Sequence, residues 1–109
     1  MTPKLVLLDE CVPRPLRRLI AVHDVRTVYF MGWDQMSNGT LVARAEAAGF
    51  DVLLTADRNL SYQQNLQGRK IALVVLPTNR WADLVAHASL IQRALDEVPA
   101  GGFLEVAFP

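Results

Sequence analysis

One cysteine, Cys11, and two histidines, His23 and His87, are all that the 109-residue chain holds of either type. A lone cysteine forms no intrachain disulfide, and so few sulfur and imidazole ligands build no cysteine-based zinc cluster. Long apolar runs are lacking too. The longest clean one, Ile71-Ala72-Leu73-Val74-Val75-Leu76, is far short of the ~20 residues a membrane helix needs. Near the N-terminus, Leu5 to Leu8 is cut off by Asp9 and Glu10, too short a run for a signal-peptide core. Nor is there an excess of either charge, since eleven Lys and Arg balance eleven Asp and Glu. No global field draws such a chain to nucleic acid or membrane, so any nucleic-acid contact rests on a local patch. These absences predict a soluble, cytoplasmic protein without membrane association.

What is present is apolar. Hydrophobic residues make up 51% of the chain, which belongs to a globular core and not to a disordered tail. The length suits one domain spanning 1–109. So apolar a composition is high for a small monomer, whose surface is large for its volume, and it predicts a homodimer or an obligate partner.

Strand and helix patterns alternate from end to end. Lys4 to Asp9 is a short apolar run closed by a carboxylate and reads as a buried strand. Pro13 and Pro15 suit the first turn of a helix with Leu16, Leu19 and Ile20 on its apolar face. Val25 to Phe30 is β-branched and aromatic, a second strand, followed by a loop from Met31 to Met36. Ser37 or Asn38 caps a helix bearing Leu41, Val42, Ala45 and Ala48, with Gly49 as its stop. Asp51 to Ala56 is the third strand and Lys70 to Leu76 the fourth, separated by the polar stretch Asp57 to Gly68. Asn79 is placed to cap a long helix with Trp81, Leu84, Val85, Ala88, Ile91, Leu95 and Val98 at helical spacing. Pro99 to Gly102 then turns into a last strand, Phe103 to Phe108.

Such alternation predicts a three-layer α/β/α domain around a mostly parallel sheet of about five strands, in the order 2-1-3-4-5. Ligands of such sheets bind beyond the carboxyl ends of the strands, where the winding direction reverses. That point lies between strands one and three, which end in Asp9-Glu10 and in Thr55-Ala56-Asp57. Neighbouring strands lie about 4.8 Å apart, so Asp9 and Asp57 can share one cation, with Glu10 as a further carboxylate. Clustered carboxylates repel one another unless a cation intervenes, and Mg2+ or Mn2+ prefers their oxygen ligands. Asn38, Asn59 and Thr78-Asn79-Arg80 are predicted on the same rim. Helix capping and turn formation account equally for Asn38 and Asn59, and strand hydrogen bonding for Thr55.

The segments Leu7-Leu8-Asp9-Glu10-Cys11-Val12-Pro13, Ser37-Asn38-Gly39-Thr40-Leu41 and Val52-Leu53-Leu54-Thr55-Ala56-Asp57-Arg58-Asn59 together resemble the compact PIN-like proteins. These are relatives of the PilT N-terminus nucleases and are often toxins of toxin–antitoxin pairs. The resemblance covers roughly residues 4 to 80. It implies a PIN-like fold and an Mg2+- or Mn2+-dependent ribonuclease, with RNA as substrate and an antitoxin protein as partner. Asp9 would be its first-strand acid and Asp57 the first acid of a T-x-D-x-D segment. The chain departs from the pattern at Asn38 and Asn59, where relatives carry acids. Two negative charges are lost, so a single ion is expected, with Asn38 and Asn59 orienting water or phosphate. Glu46 lies too far along its helix from Asn38 to replace them readily. Arg58 and Arg80 would contact phosphate oxygens, a task that suits the guanidinium fork.

Two other classes compete. A PIN-like fold with depleted acids could serve as an RNA- or protein-binding module. A receiver-like phospho-acceptor domain would use Asp9, Glu10, Asp57 and Thr78, but it expects a lysine after the fifth strand, and Phe103 to Pro109 carries none. Among remaining features, Arg14, Arg17 and Arg18 read as a solvated helix face, with phosphate contact as the alternative. Trp33 reads as a core plug from a loop and Trp81 as core. Cys11 beside carboxylates reads as unreactive. Gln63-Gln64-Asn65 reads as a polar cleft lining, and His23 and His87 as ordinary surface or helix residues.

Overall fold

The structure, a computed structural model, describes residues 3–58 and 65–109. Its sheet has the order β2-β1-β3-β4-β5, built from β1 (Leu5–Leu8), β2 (Asp24–Thr27), β3 (Val52–Thr55), β4 (Ala72–Val75) and β5 (Phe103–Glu105). Every neighbouring pair is parallel. Side chains alternate across the pleat. Val6, Leu8, Val52, Leu54, Ala72 and Val74 face one apolar layer with Leu16, Ile20, Leu84, Ile91 and Leu95. Leu7, Leu53, Leu73 and Val75 face the other, with Trp33, Leu41, Val42, Ala45 and Phe50. A sheet buried on both sides needs this continuous apolar composition, which is why β3 and β4 read as unbroken hydrophobic runs. The predicted strand order and two-sided cover are both present, and Trp33 is a core plug.

Several elements depart from the pattern-based expectation, each for a local reason. The first helix is a 3-10 turn, Arg14–Arg18. Pro13 and Pro15 supply no backbone N–H, so the segment makes short i to i+3 bonds, from Leu16 to Pro13 and from Leu19 to Leu16. The second strand stops at Thr27, and α1 (Val28–Met31) replaces its predicted second half. The Thr27 hydroxyl accepts from the Phe30 amide at 3.0 Å, and Gly32 closes the turn at φ +74°. This cap overrides the β propensity of Val28, Tyr29 and Phe30.

Helix α2 (Asn38–Ala47) is capped by Ser37, with Asn38 as its first residue. The long C-terminal helix divides at His87 into α3 (Trp81–Ala86) and α4 (Ala88–Glu97). His87 leaves the helical region at φ −123°, and its ring stacks on Phe108 with centroids 4.3 Å apart. The break moves Trp81 and Val85 off the buried stripe, leaving them 41% and 47% exposed, so Trp81 is not core. Asn79 does not cap α3. Arg80 holds that position, and the Thr78 hydroxyl accepts from its amide.

Glu46, near the end of α2, straps this helix to the entrance of β4. Its carboxylate accepts from the Lys70 amide at 2.6 Å and from the Arg69 guanidinium at 3.1 Å. The Lys70 amide bond, with help from Ile71 and Arg69, holds its pKa below the usual 4.5 against a smaller opposing effect of desolvation. A carboxylate so depressed adds stability that is present above its unfolded pKa and is lost as pH falls through the folded one. Glu46→Gln is therefore expected to be less stable than the parent at neutral pH, with the gap closing below about pH 4. Urea unfolding midpoints between pH 3 and 7 measure this. A gap independent of pH would refute it.

Candidate functional site

The end of β1 and the end of β3 meet where the winding of the sheet reverses. Leu8 pairs with Leu54, and the Asp9 amide continues the ladder to the Leu54 carbonyl at 3.0 Å. Asp9 therefore stands beside Thr55. The Thr55 hydroxyl, fully buried, donates to Asp9 Oδ2 at 2.7 Å and accepts from the Asp57 amide at 3.0 Å. One hydroxyl thus ties the two chain segments together. Its bond to Asp57 is a tight local turn, which carries the backbone out of β3 and brings Asp57 to the rim. Asp9 Oδ1 accepts from the Glu10 amide at 2.9 Å. The carboxylate is fixed in direction and only 7% exposed.

Cys11 completes this buried knot. Its sulfur lies 3.4 Å from the Thr55 hydroxyl and accepts from the Ala56 amide at 3.4 Å. Burial, reinforced by the Asp9 charge and outweighing the Thr55 and Ala56 hydrogen bonds, raises the thiol above its ordinary pKa of 9.0. The thiol stays protonated at neutral pH, in keeping with the unreactive role read from its neighbours. The Asn79 side chain reaches from beyond β4 to the Cys11 carbonyl at 3.4 Å, stitching the exits of β4 and β1.

Above the knot opens a cleft of about 500 Å3, walled by Asp9, Glu10, Cys11, Met36, Asn38, Ala56, Asp57, Thr78 and Asn79. The fold thus brings Asp9, Asp57, Glu10 and Asn38 to one cavity. The other expected site residues are placed differently. Arg58 donates to the Pro77 carbonyl at 2.6 Å, and Arg80 lies 3.7 Å from Asp83. Neither borders the cleft. The Glu10 carboxylate accepts from the Gln35 amide at 3.4 Å. Glu46 is committed to Arg69 and Lys70. Asn59, Gln63 and Gln64 fall outside the described residues.

The sequence leaves Thr55 open between strand residue and site hydroxyl; in the structure it ends β3, and its hydroxyl bonds Asp9 beneath the cleft. His23 departs from its expected surface role. It is 4% exposed, accepts the Lys4 amide on Nδ1 at 2.9 Å and lies with Nε2 2.7 Å from Asp96 Oδ1. The sequence carries no clear signal for this, since Leu19, Ala21 and Val22 of the apolar run before it are themselves exposed.

The donors on the cleft wall are mostly oxygens, from two aspartates, a glutamate, the Thr78 hydroxyl and the amides of Asn38 and Asn79, beside the sulfurs of Cys11 and Met36. Among the described residues, no three His, Cys, Asp or Glu side chains form a group that could hold a metal ion by themselves. This set does not make an all-protein cage. It does fit Mg2+ or Mn2+ held by one or two carboxylates with the remaining positions taken by water and phosphate, the usual style of magnesium sites. The fold and cleft together define an α/β domain with a five-stranded parallel sheet and an acidic site at its switch point. Comparison with protein-family models, curated proteins and solved structures finds no match for this chain.

Proposed function

We propose that this protein is a PIN-like, Mg2+- or Mn2+-dependent ribonuclease that hydrolyses phosphodiester bonds, acting as the toxin of a toxin–antitoxin pair. The observation that carries the reading is the Asp9 carboxylate, buried and aimed by Thr55 and Glu10 into a cleft shared with Asp57 and Asn38. Asp9 and Asp57 would hold the cation, with Glu10 at the edge of the same wall. A bound divalent ion supplies Lewis acidity toward phosphate and a water of lowered pKa. The Asn38 amide, on the cleft wall, would orient water or a phosphate oxygen without adding charge, as would Asn59. Arg80, with its side chain 78% exposed, and Arg58 would meet phosphates arriving at the rim. An antitoxin protein and a second copy of the chain are the partners that this reading includes. No helix among the described residues is long and apolar enough to cross a membrane.

Calorimetric titration with Mn2+, run beside an RNA cleavage assay in the same buffer, tests the reading. Asp9→Asn and Asp57→Asn are each expected to weaken Mn2+ binding by at least about tenfold and to abolish cleavage together with it. Absence of Mn2+ binding by the parent protein at millimolar concentration would refute it.

The scarcity of clustered acids favours a second reading, a catalytically depleted RNA- or protein-binding module. Asn38→Asp combined with Asn59→Asp separates the two. Gain of metal-dependent cleavage supports the enzyme, and an equally inert protein supports the module.

A further inference from the structure

A second groove, of about 580 Å3, opens beside the acidic cleft, lined by Arg14, Arg17, Arg18, Thr27, Tyr29 and Phe30. We propose that it binds single-stranded nucleic acid, with the arginines on phosphates and the two rings under bases. Phe30 is 72% exposed and Tyr29 48%, although both sit in a helix whose first residue, Val28, is buried. The Thr27 cap on the Phe30 amide fixes that short helix, so the rings are displayed by a built turn. The Arg14 guanidinium lies 5.1 Å from the Tyr29 ring centroid, a cation held by a π face.

Among the described residues no carboxylate pairs with Arg14, Arg17 or Arg18, as none does with Arg44, Arg58 or Arg93, whereas Arg26, Arg69 and Arg80 each face one. Only the first three are clustered on one short turn. In a 3-10 turn, residues three apart eclipse one another, so Arg14 and Arg17 project from the same side. On a chain of zero net charge, this is a local positive patch interleaved with aromatic faces. Cations alone would suit any polyanion. Cations flanking the open Phe30 ring and the Arg14-backed Tyr29 ring suit a strand whose bases are unstacked, because duplex bases do not expose their faces.

The groove lies on the site's own rim. Thr27 pairs with Leu8, the residue before Asp9, and the arginine turn follows directly on the Asp9–Cys11 segment. A strand lying in it would lead toward the acidic cleft. That direction rests on the nuclease reading, whereas the binding itself does not.

Fluorescence anisotropy with a labelled oligouridylate in EDTA reads the groove without cleavage. Arg17→Glu with Arg18→Glu is expected to weaken binding at least about tenfold and to flatten the salt dependence by about 0.7 in log–log slope for each phosphate no longer neutralised. Phe30→Ala is expected to cost at least about fivefold, Phe30→Tyr much less, and Arg44→Glu, on α2 and outside the groove lining, nothing. All these side chains are exposed, and unchanged circular dichroism and melting establish that each variant folds. No binding by the parent protein, unchanged affinity in the groove variants, or equal affinity for a duplex with Phe30→Ala silent would each overturn the inference. So would loss of polyglutamate binding in the arginine variant while oligouridylate binding persists, which would assign the groove to an acidic protein. Tight, groove-dependent binding in a protein that takes up no Mn2+ upholds the groove and removes the nuclease reading alone.

Discussion

Thr55→Val is expected to destabilise the protein by about 2–4 kcal/mol and, with a cation bound as proposed, to weaken Mn2+ affinity on the order of 10- to 100-fold. The substitution keeps the shape of a fully buried side chain and removes only its hydrogen-bonding capacity. Asp9 Oδ2 loses a donor at 2.7 Å, and the Asp57 amide loses an acceptor at 3.0 Å. Leaving buried polar groups short of a partner costs about 1–3 kcal/mol each, and more where a charge is involved. Thr55→Ser supplies the control, since it retains the hydroxyl and gives up only a methyl group, about 1 kcal/mol. Urea unfolding measures the stability change and calorimetry the metal affinity. If serine proves as damaging as valine, packing and not the hydroxyl governs this position. Because one oxygen serves both segments, Asp9→Asn and Thr55→Val are expected to be non-additive in a double-mutant cycle.

His23→Leu is expected to cost about 3 kcal/mol, seen as a fall in melting temperature on the order of 10 °C or more. An amide can only donate, so Nδ1 accepts from Lys4 and Nε2 carries the proton toward Asp96. The ring joins three places: the residue before β1, its own position before β2, and α4 through Asp96. The Lys4 side chain reinforces this corner by donating to the Leu95 and Val98 carbonyls, each at 2.7 Å, at the end of α4. Leucine would fill the volume and strip both bonds. His23→Gln, able to accept and donate, is expected to recover part of the loss. Equal stability of the leucine variant and the parent would show that the two bonds contribute nothing net.

These two residues mark where sequence patterns stop being informative. The strands of the sheet's centre were legible because burial on both faces forces unbroken apolar runs, as in Leu53-Leu54 and Leu73-Val74-Val75. The order of the strands followed from alternation with helical segments, and the reversal point with it, so Asp9, Asp57, Glu10 and Asn38 were legible as neighbours. Element ends were not, because they depend on single hydrogen bonds. The Thr27 cap turned Val28 to Phe30 from strand into the helix Val28–Met31, and the prolines around Leu16 tightened a helix into a 3-10 turn. Trp81 shared the period of Leu84 and Ile91, but periodicity assumes one axis, and His87 breaks the axis. Arg58 and Arg80 follow the exits of β3 and β4, yet their partners, Pro77 and Asp83, lie outside the cleft. His23 escaped, and Thr55 stayed open between two readings, because burial of a single polar residue is decided by what meets it from elsewhere in the chain.

The order of the sheet also dictates a schedule. Strand β1 is made first during synthesis, but both of its neighbours come later: β2 pairs at Asp24–Thr27 and β3 only at Val52–Leu54. Parallel partners cannot be joined by a tight turn, so β1 must wait for distant segments, and loop closure slows such pairing. Until β3 docks, Asp9 lacks the Thr55 hydroxyl and the cleft lacks Asp57. A nascent chain that has not yet delivered β3 therefore carries its arginines without an acidic site, and the activity proposed here would be switched on by the closing of the sheet.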